Sequence, residues 1–363
     1  MEKTTELAPK KKAWRWGTNR WIVLACIIGS VIATYVLGIK PVRPVVQLPA
    51  EKLTISCQPL ILLPAPFGSK APDFCLEAAK NGEIATPATG FYLTNTLVAL
   101  ILVDVILLII GFGFYRYAKS GTLVPKGFSS AVEALLEAIY NLTEGTAGKW
   151  TKTFFPWFAT ITLLVLLVNW MELIPGVDSI GLLVKVAHGG NNIQQLTNGI
   201  ASITPAAKGE VLENGYVVVP FVRVVSTDLN FTLALALVAV VMVQIMGVRA
   251  QKGAYFTKFW NTKTLFSKPL FGVIDFLVGL LESVSEFSKV LSFSFRLLGN
   301  IFAGSMLLFV IGWLVPVFAQ SGILMLEFFI GMIQAIVFGM LAMTFMTMAT
   351  QSHSGEDHKE AHT

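Results

Sequence analysis

Charge is scarce in this sequence. Only 13% of its 363 residues are Asp, Glu, Lys or Arg, where an ordinary soluble domain carries about 25%. A water-exposed surface needs more than that, and a mean hydropathy of +0.68 points the same way. An ordinary soluble enzyme is excluded. Cysteine is scarcer still, with three residues, too few and too scattered for a metal framework. Cys26 lies inside an apolar run, as a small buried hydrophobe would. Cys57 and Cys75 share one polar segment and can be bridged where that segment faces an oxidising compartment. There is no phosphate-binding glycine loop, so nucleotide chemistry has no site here. Internal repeats and matched broken helices, the marks of many self-contained secondary transporters, are missing as well.

What the chain has is apolar length, since 54% of it is hydrophobic. Several stretches approach the ~20 residues needed to cross a bilayer. The fold class expected is all-α, a polytopic membrane protein with about six membrane helices. The net charge of +5, from 27 basic and 22 acidic residues, could suggest nucleic acid. The basic residues gather instead at the ends of apolar spans, which is a signature of membrane orientation. Lipid is therefore the expected partner and nucleic acid is not.

The first span, Trp21 to Ile39, follows Lys3, Lys10, Lys11, Lys12, Arg15 and Arg20. No A-x-A site follows its long apolar core, so it reads as a retained signal-anchor rather than a cleaved signal. Residues 40–90 are polar, proline-containing and loop-like. Spans follow at about Phe91–Tyr115, Phe154–Ile174 and Leu229–Val248, with a Gly/Asn/Lys-containing loop from the third span to Asp228. Between the second and third spans, Ala131 to Lys149 sets apolar residues at helical spacing against Glu133, Glu137 and Glu144. That pattern predicts an amphipathic helix lying on the surface. From Phe271 to Val315 there is no proline. A helix of ~45 residues is roughly 65 Å long, against a hydrocarbon core of ~30 Å, so it must tilt strongly or bend along the membrane. A break around Pro316–Gly322 precedes the last span, Ile323–Thr350. Stretches 1–20, 116–152 and 249–268 hold sixteen Lys and Arg, and segments 40–90 and 176–228 hold eight. The positive-inside rule then puts both termini in the cytoplasm. The expected organisation is an N-terminal signal-anchor or extra helix (1–40), an outer polar loop (41–90), a channel domain (91–350) and a polar cytoplasmic tail (351–363).

The long penultimate helix carries the chemistry. Asp275, Glu282, Lys289 and Arg296 recur every seven residues and share one face, with Ser285, Glu286 and Asn300 close to that line. A charge at the centre of a bilayer helix costs at least ~2.5–3.5 kcal/mol on insertion scales. Such a row usually faces water, protein or a transport path. Glu282, Glu286 and Lys289 could instead be satisfied ion pairs near the cytoplasmic end. Arg296 lies deep in apolar sequence, flanked by Phe293, Phe295, Leu297 and Leu298. Arginine stays protonated, so it cannot relay a proton, but its fixed charge can strip one from a passing acid and block a direct leak. The last span adds Glu327 and, two turns on, Gln334. A desolvated carboxylic acid is a natural proton relay, though Glu327 could also lie near the outer headgroups. Glu172, ending the third span, is the weaker candidate.

The run Ser294-Phe295-Arg296-Leu297-Leu298-Gly299-Asn300-Ile301-Phe302-Ala303-Gly304 resembles the R-L-x-G-N-x-x-A-G signature of the subunit a family of F-type rotary ATP synthases. Leu281-Glu282-Ser283-Val284-Ser285 with Ser288-Lys289, and Gln334 with Ala335 and Phe338, are similar to further stretches of that family. Fainter echoes are Asn169-Trp170-Met171-Glu172-Leu173-Ile174-Pro175 and Arg223-Val224-Val225-Ser226-Thr227-Asp228-Leu229-Asn230. The resemblance covers about residues 90–350 and leaves Trp21–Ile39 outside.

The resemblance implies a stator subunit that forms two proton half-channels against a rotating ring of c subunits. Its further partners would be b-type peripheral stalk subunits and other ATP synthase subunits, in the cell inner (plasma) membrane. Arg296 would be the stator arginine. Glu327 and Ser305 stand where the family places a polar pair at the inlet. Some members have Glu at the position of Ser305 and His at that of Glu327, so this chain is expected to keep one titratable inlet group, Glu327. Glu282 would belong to the cytoplasmic outlet, and Asn300, Gln334 and Lys289 would complete the set. No catalytic residue, metal or cofactor is expected, nucleotide chemistry lying on other subunits. The rivals are a secondary cation transporter and a structural membrane anchor.

Overall fold

The computed structural model describes residues 28, 29, 32, 50–53, 57–64, 68–80, 85–119, 127–185, 191–197, 200–204, 215–252, 255, 269–314 and 318–351. The Trp21–Ile39 span, apart from three helical or exposed positions within it, and the tail beyond 351 lie outside these residues. So does most of the basic connection 253–268.

Helices dominate the described chain, and five segments are long and apolar enough to cross a membrane: Asn95–Lys119, Phe128–Leu173, Leu229–Gln251, Phe276–Gly312 and Ala319–Thr350. Their elements are α2 (Asn95–Lys119), α3 (Phe128–Ala147), α4 (Thr151–Trp170), α5 (Leu229–Gln251), α6 (Pro269–Leu314) and α7 (Phe318–Thr350). The chain is thus an all-α polytopic membrane protein. Local chemistry sets several boundaries. Asp228 caps α5 by accepting from Asn230 N at 2.9 Å, as an N-cap carboxylate should. The same carboxylate accepts the Thr96 hydroxyl at 2.9 Å, which ties α2 to α5. Arg116 and Lys119 close α2 in its last turn, where cations complement the helix dipole. With no proline between its ends, α6 runs unbroken for 46 residues, as the sequence predicts.

Two expectations need correction further along the chain. The amphipathic segment is helix α3, with one face packed against the bundle. It passes through a tight turn at Gly148–Trp150 straight into α4 and buries Ile139, Thr143 and Ala147. Ile139 and Ala147 join Phe154, Phe158, Met246, Met343 and Met346 in one packed cluster, while Glu137 and Glu144 stay exposed. The last helix starts at Phe318, so Gly322 is inside it rather than in a break. Among its described residues, the segment expected as a loop before Asp228 is largely strand: β4 (Gly181–Lys185) pairs antiparallel with β7 (Tyr216–Pro220). Nested between them in sequence, β5 (Asn192–Thr197) pairs with β6 (Ile200–Thr204). A short strand β3 (Pro175–Asp178) leads in.

The stretch expected as the outer loop also has structure. Strands β1 (Ile61–Leu62) and β2 (Gly90–Phe91) pair, α1 (Asp73–Lys80) follows β1, and a disulfide joins Cys57 to Cys75 with Cα atoms 5.6 Å apart.

The central core lies where α4, α5, α6 and α7 meet, with Val165, Ala236, Leu297, Ala335 and Phe338 fully enclosed. Phe293 packs edge-on against Phe338, their centroids 5.0 Å apart. Lipid is as apolar as these side chains, so close packing and interhelical hydrogen bonds, worth about 0.6 kcal/mol each on average, hold such helices together. One such bond joins Thr232 of α5 to Ser294 of α6, both buried, at 3.1 Å.

Candidate functional site

Arg296 sits on the seam between the packed and open faces of α6. Leu297 beside it is fully buried, while Phe295 is 56% exposed and Arg296 is half-buried. Among the described residues no hydrogen bond or ion pair satisfies its guanidinium, which is permanently charged. One turn on, Asn300 donates to Gln334 Oε1 of α7 at 2.6 Å. Gln334 is buried, and its Nε2 has no partner.

Further along α6 the structure assembles an acid pair. Ser305 donates to Glu172 Oε1 at 2.5 Å. Glu327 of α7 is 4% exposed, and among the described residues neither of its carboxylate oxygens has a hydrogen-bond partner. Its carboxylate lies so close to Gly304 that a Cβ there would overlap it, so only glycine leaves room. Buried carboxylates are almost always satisfied, and an orphaned one inside a membrane segment is a candidate functional position. Beside Glu327, the one titratable group expected at this end, the structure also places Glu172.

The residues just before Glu172 explain its position. Asn169 donates to Gly331 O of α7 at 3.2 Å and accepts the Ser226 hydroxyl at 2.7 Å. Trp170 donates its indole N–H to Phe328 O at 3.2 Å and stacks on the Phe328 ring at 4.7 Å. These contacts pin the end of α4 to α7, so the turn Met171–Leu173 presents Glu172 to α6. The sequence carries a signal for this, a polar Asn and a Trp ending an apolar span directly before an acid.

Beyond the membrane segments, a second charged group lies next to that pair. Asp178 is pushed up to about 6 by burial, while Arg223 and a backbone hydrogen bond from Val224 pull the other way. Burial also raises Glu51, with Arg223 opposing and Asp178 adding to the effect. Asn95 holds Glu51 through its Nδ2, at 3.3 Å from Oε2. Sequence reasoning did not single out Glu51, Asp178 or Arg223.

At the other end of α6, Lys289 pairs with Glu286 Oε1 at 2.7 Å, the ion pair weighed as its alternative, and its ammonium lies 4.8 Å above the Phe345 ring. Glu282 is half-buried one heptad before Lys289. The structure thus brings Asn300, Gln334, Ser305, Glu327 and Glu172 to one side of Arg296. Glu282 and Lys289 lie on the other. Among the described residues no cluster of His, Cys, Asp or Glu could hold a metal ion.

A multi-pass helical bundle that carries, within its apolar spans, a buried acid and a half-buried arginine unpaired among the described residues has the character of an ion-transporting membrane protein. Residues 96–347 match the model of the ATP synthase A chain family, and the chain belongs to that family, as a multi-pass membrane subunit of ATP synthesis. It is 29% identical over 240 residues to ATP synthase subunit a of Campylobacter jejuni subsp. jejuni serotype O:23/36 (strain 81-176), covering 65% of this chain and 83% of that protein. The same figures hold for the subunit a of Campylobacter jejuni strain RM1221. The subunit a of Campylobacter jejuni subsp. doylei is 28% identical over the same share.

Proposed function

We propose that the chain is the proton-conducting stator of the membrane sector, forming two half-channels against a rotating ring of c subunits. The observation that carries this is Arg296, unpaired among the described residues and set between an acid without a described partner at one end and a charged group at the other. Protons arrive from outside through Glu172, Ser305 and Glu327, pass Gln334 and Asn300, and neutralise an acid on a c subunit. The neutral acid turns through lipid and releases its proton near Glu282 on the cytoplasmic side. Arg296 cannot give up its own proton, so it discharges the incoming acid and separates the two half-paths. Each charge crossing is worth about 2.3 kcal/mol per 100 mV, enough to bias rotation.

The open face of α6 bears Leu281, Val284, Phe287 and Phe295, each more than half exposed, and this is the surface assigned to the ring. The b-type stalk subunits and lipid take other faces. The chain itself is non-catalytic and lies in the cell inner membrane, with both termini cytoplasmic if the first helix is retained. Residues 91–350 form the channel domain, 1–40 an extra helix or signal-anchor, 41–90 the outer segment and 351–363 the cytoplasmic tail. Reconstituting the whole complex beside the isolated chain tests the proposal. Proton-driven ATP synthesis by the complex, with no proton transport by the chain alone, is expected. Transport by the isolated chain favours a complete transporter and overturns the stator role.

A further inference from the structure

Tyr255 belongs to the connection that follows α5, yet it is 2% exposed. Its ring rests directly on Gly247, where any Cβ would overlap it, so the glycine makes the seat for the ring. From that seat the phenol donates to Gln244 Oε1 at 2.6 Å. The Gln244 amide, its oxygen taken, turns Nε2 toward α6 and donates to Glu286 Oε2 at 2.9 Å. The other oxygen of Glu286 accepts from Lys289. Burial first, then Glu286 and Glu282, push the Tyr255 phenol up to about 12, so it stays a donor at any working pH.

Every link in this chain has a fixed sense. The phenol, donating to the amide oxygen, fixes the amide, and the amide offers a hydrogen to the carboxylate. The carboxylate, engaged at both oxygens, holds the ammonium over the Phe345 ring of α7. Lys289 sits between Glu282 and Arg296 on one face of α6, seven residues from each. Released from Glu286, its cation has Glu282 as the next acid along that face. In a low-dielectric span a mispaired charge there acts strongly.

We propose that Tyr255 is a positioning residue of the cytoplasmic half-path, acting through Gln244 and Glu286 to hold Lys289 away from Glu282. This rests on the stator reading above. Around Glu286 the described surroundings are Gln244 from α5, with Arg249 five residues on, Tyr255 from the connection, and Glu282 and Lys289 from α6. From α7 comes the Phe345 ring, the single charged residue of that helix being the distant Glu327.

The test uses membrane vesicles carrying the assembled complex, with passive proton flux and ATP-driven pumping as readouts. Tyr255→Phe keeps the ring on Gly247 and loses only the hydroxyl. It should lower flux by roughly three- to tenfold, within the range of coupling between contacting residues. Combined with Lys289→Gln it should cause no further loss beyond Lys289→Gln alone, because the charge it misplaces is gone. A merely structural role of the hydroxyl predicts that the two losses multiply. Glu286→Gln with the native tyrosine should lose flux in the same way and be masked likewise by Lys289→Gln, which keeps the test open if the phenylalanine variant fails to assemble. Wild-type flux in Tyr255→Phe or Glu286→Gln, or losses that multiply, overturns the proposal. Arg296→Ala run beside them separates the levels: ATP synthesis near wild type there removes the stator reading itself, whereas its loss with silent Tyr255 variants removes only this inference.

Discussion

Ser305 donates its hydroxyl to Glu172 Oε1 at 2.5 Å and so joins the long helix α6 to the end of α4, 133 residues earlier in the chain. The bond holds one acid against the helix that carries Arg296, beside a second acid, Glu327, that holds nothing. On the stator reading the two acids divide their tasks, Glu172 being held in place by Ser305 and Glu327 passing the proton on.

Glu327→Gln keeps the size of the side chain and removes its proton. A positioned acid or base commonly contributes on the order of 100-fold, so proton pumping by the assembled complex should fall at least roughly tenfold between pH 6 and pH 9. Glu172→Gln should also slow pumping, by less, and Ser305→Ala should resemble it. Unchanged pumping in Glu327→Gln removes that residue from the path.

Gly304→Ala is the steric counterpart. The added methyl overlaps the Glu327 carboxylate and must displace it or part α6 from α7. Overpacking of this kind costs about 1–3 kcal/mol. We expect a complex that assembles in lower amount and pumps poorly, read by immunoblot and by pumping per assembled complex. Wild-type values for both contradict the observed approach of the two helices.

The outer segment should resist thiol reagents until it is reduced. Cys57 and Cys75 are bridged, so a maleimide probe applied to intact protein should label neither before reductant and both after it. Replacing both with serine should destabilise this region by about 3 kcal/mol, the entropy of closing a loop of similar length. Two freely labelled thiols contradict the bridge.

Asp178 gives a pH dependence of definite sign. Its folded value of about 6 stands above its ordinary 3.8, so the folded protein binds this proton more tightly than the unfolded chain. Its contribution to stability is greatest below about pH 4, declines as pH rises through 6 and is flat beyond. Asp178→Asn should reduce the fall in melting temperature between pH 4 and pH 6, with Glu51 among the other buried acids that still contribute slope. An unaltered slope in thermal unfolding of the purified complex contradicts this.

The long helix was legible because nothing interrupts it, and Arg296 because a permanent charge amid Phe and Leu has few innocent explanations. Glu172 was underrated for a reason that one dimension hides. Its value depends on Ser305, which only the packing of α4 against α6 and α7 brings near. The strands β4 and β7 were hidden in another way. Each is a five-residue run rich in Val or Leu, but thirty-odd residues with polar stretches separate them, and no hairpin turn announces the pairing. Tyr255 gave no signal at all, since an aromatic in a basic connection looks like surface until Gly247 provides its seat.

The account stands or falls on Arg296. Arg296→Ala should abolish ATP synthesis while passive proton flux through the same vesicles persists or rises, because the charge that discharges the ring and blocks the leak is gone. Removing a charge from a membrane helix does not penalise insertion, so the complex should still assemble. Arg296→Lys keeps a cation without the planar, always-protonated group and should be badly impaired too. ATP synthesis, ATP-driven pumping and passive flux are measured on one vesicle preparation. Synthesis lost with flux retained is the predicted result, and synthesis near the wild-type rate in Arg296→Ala contradicts it.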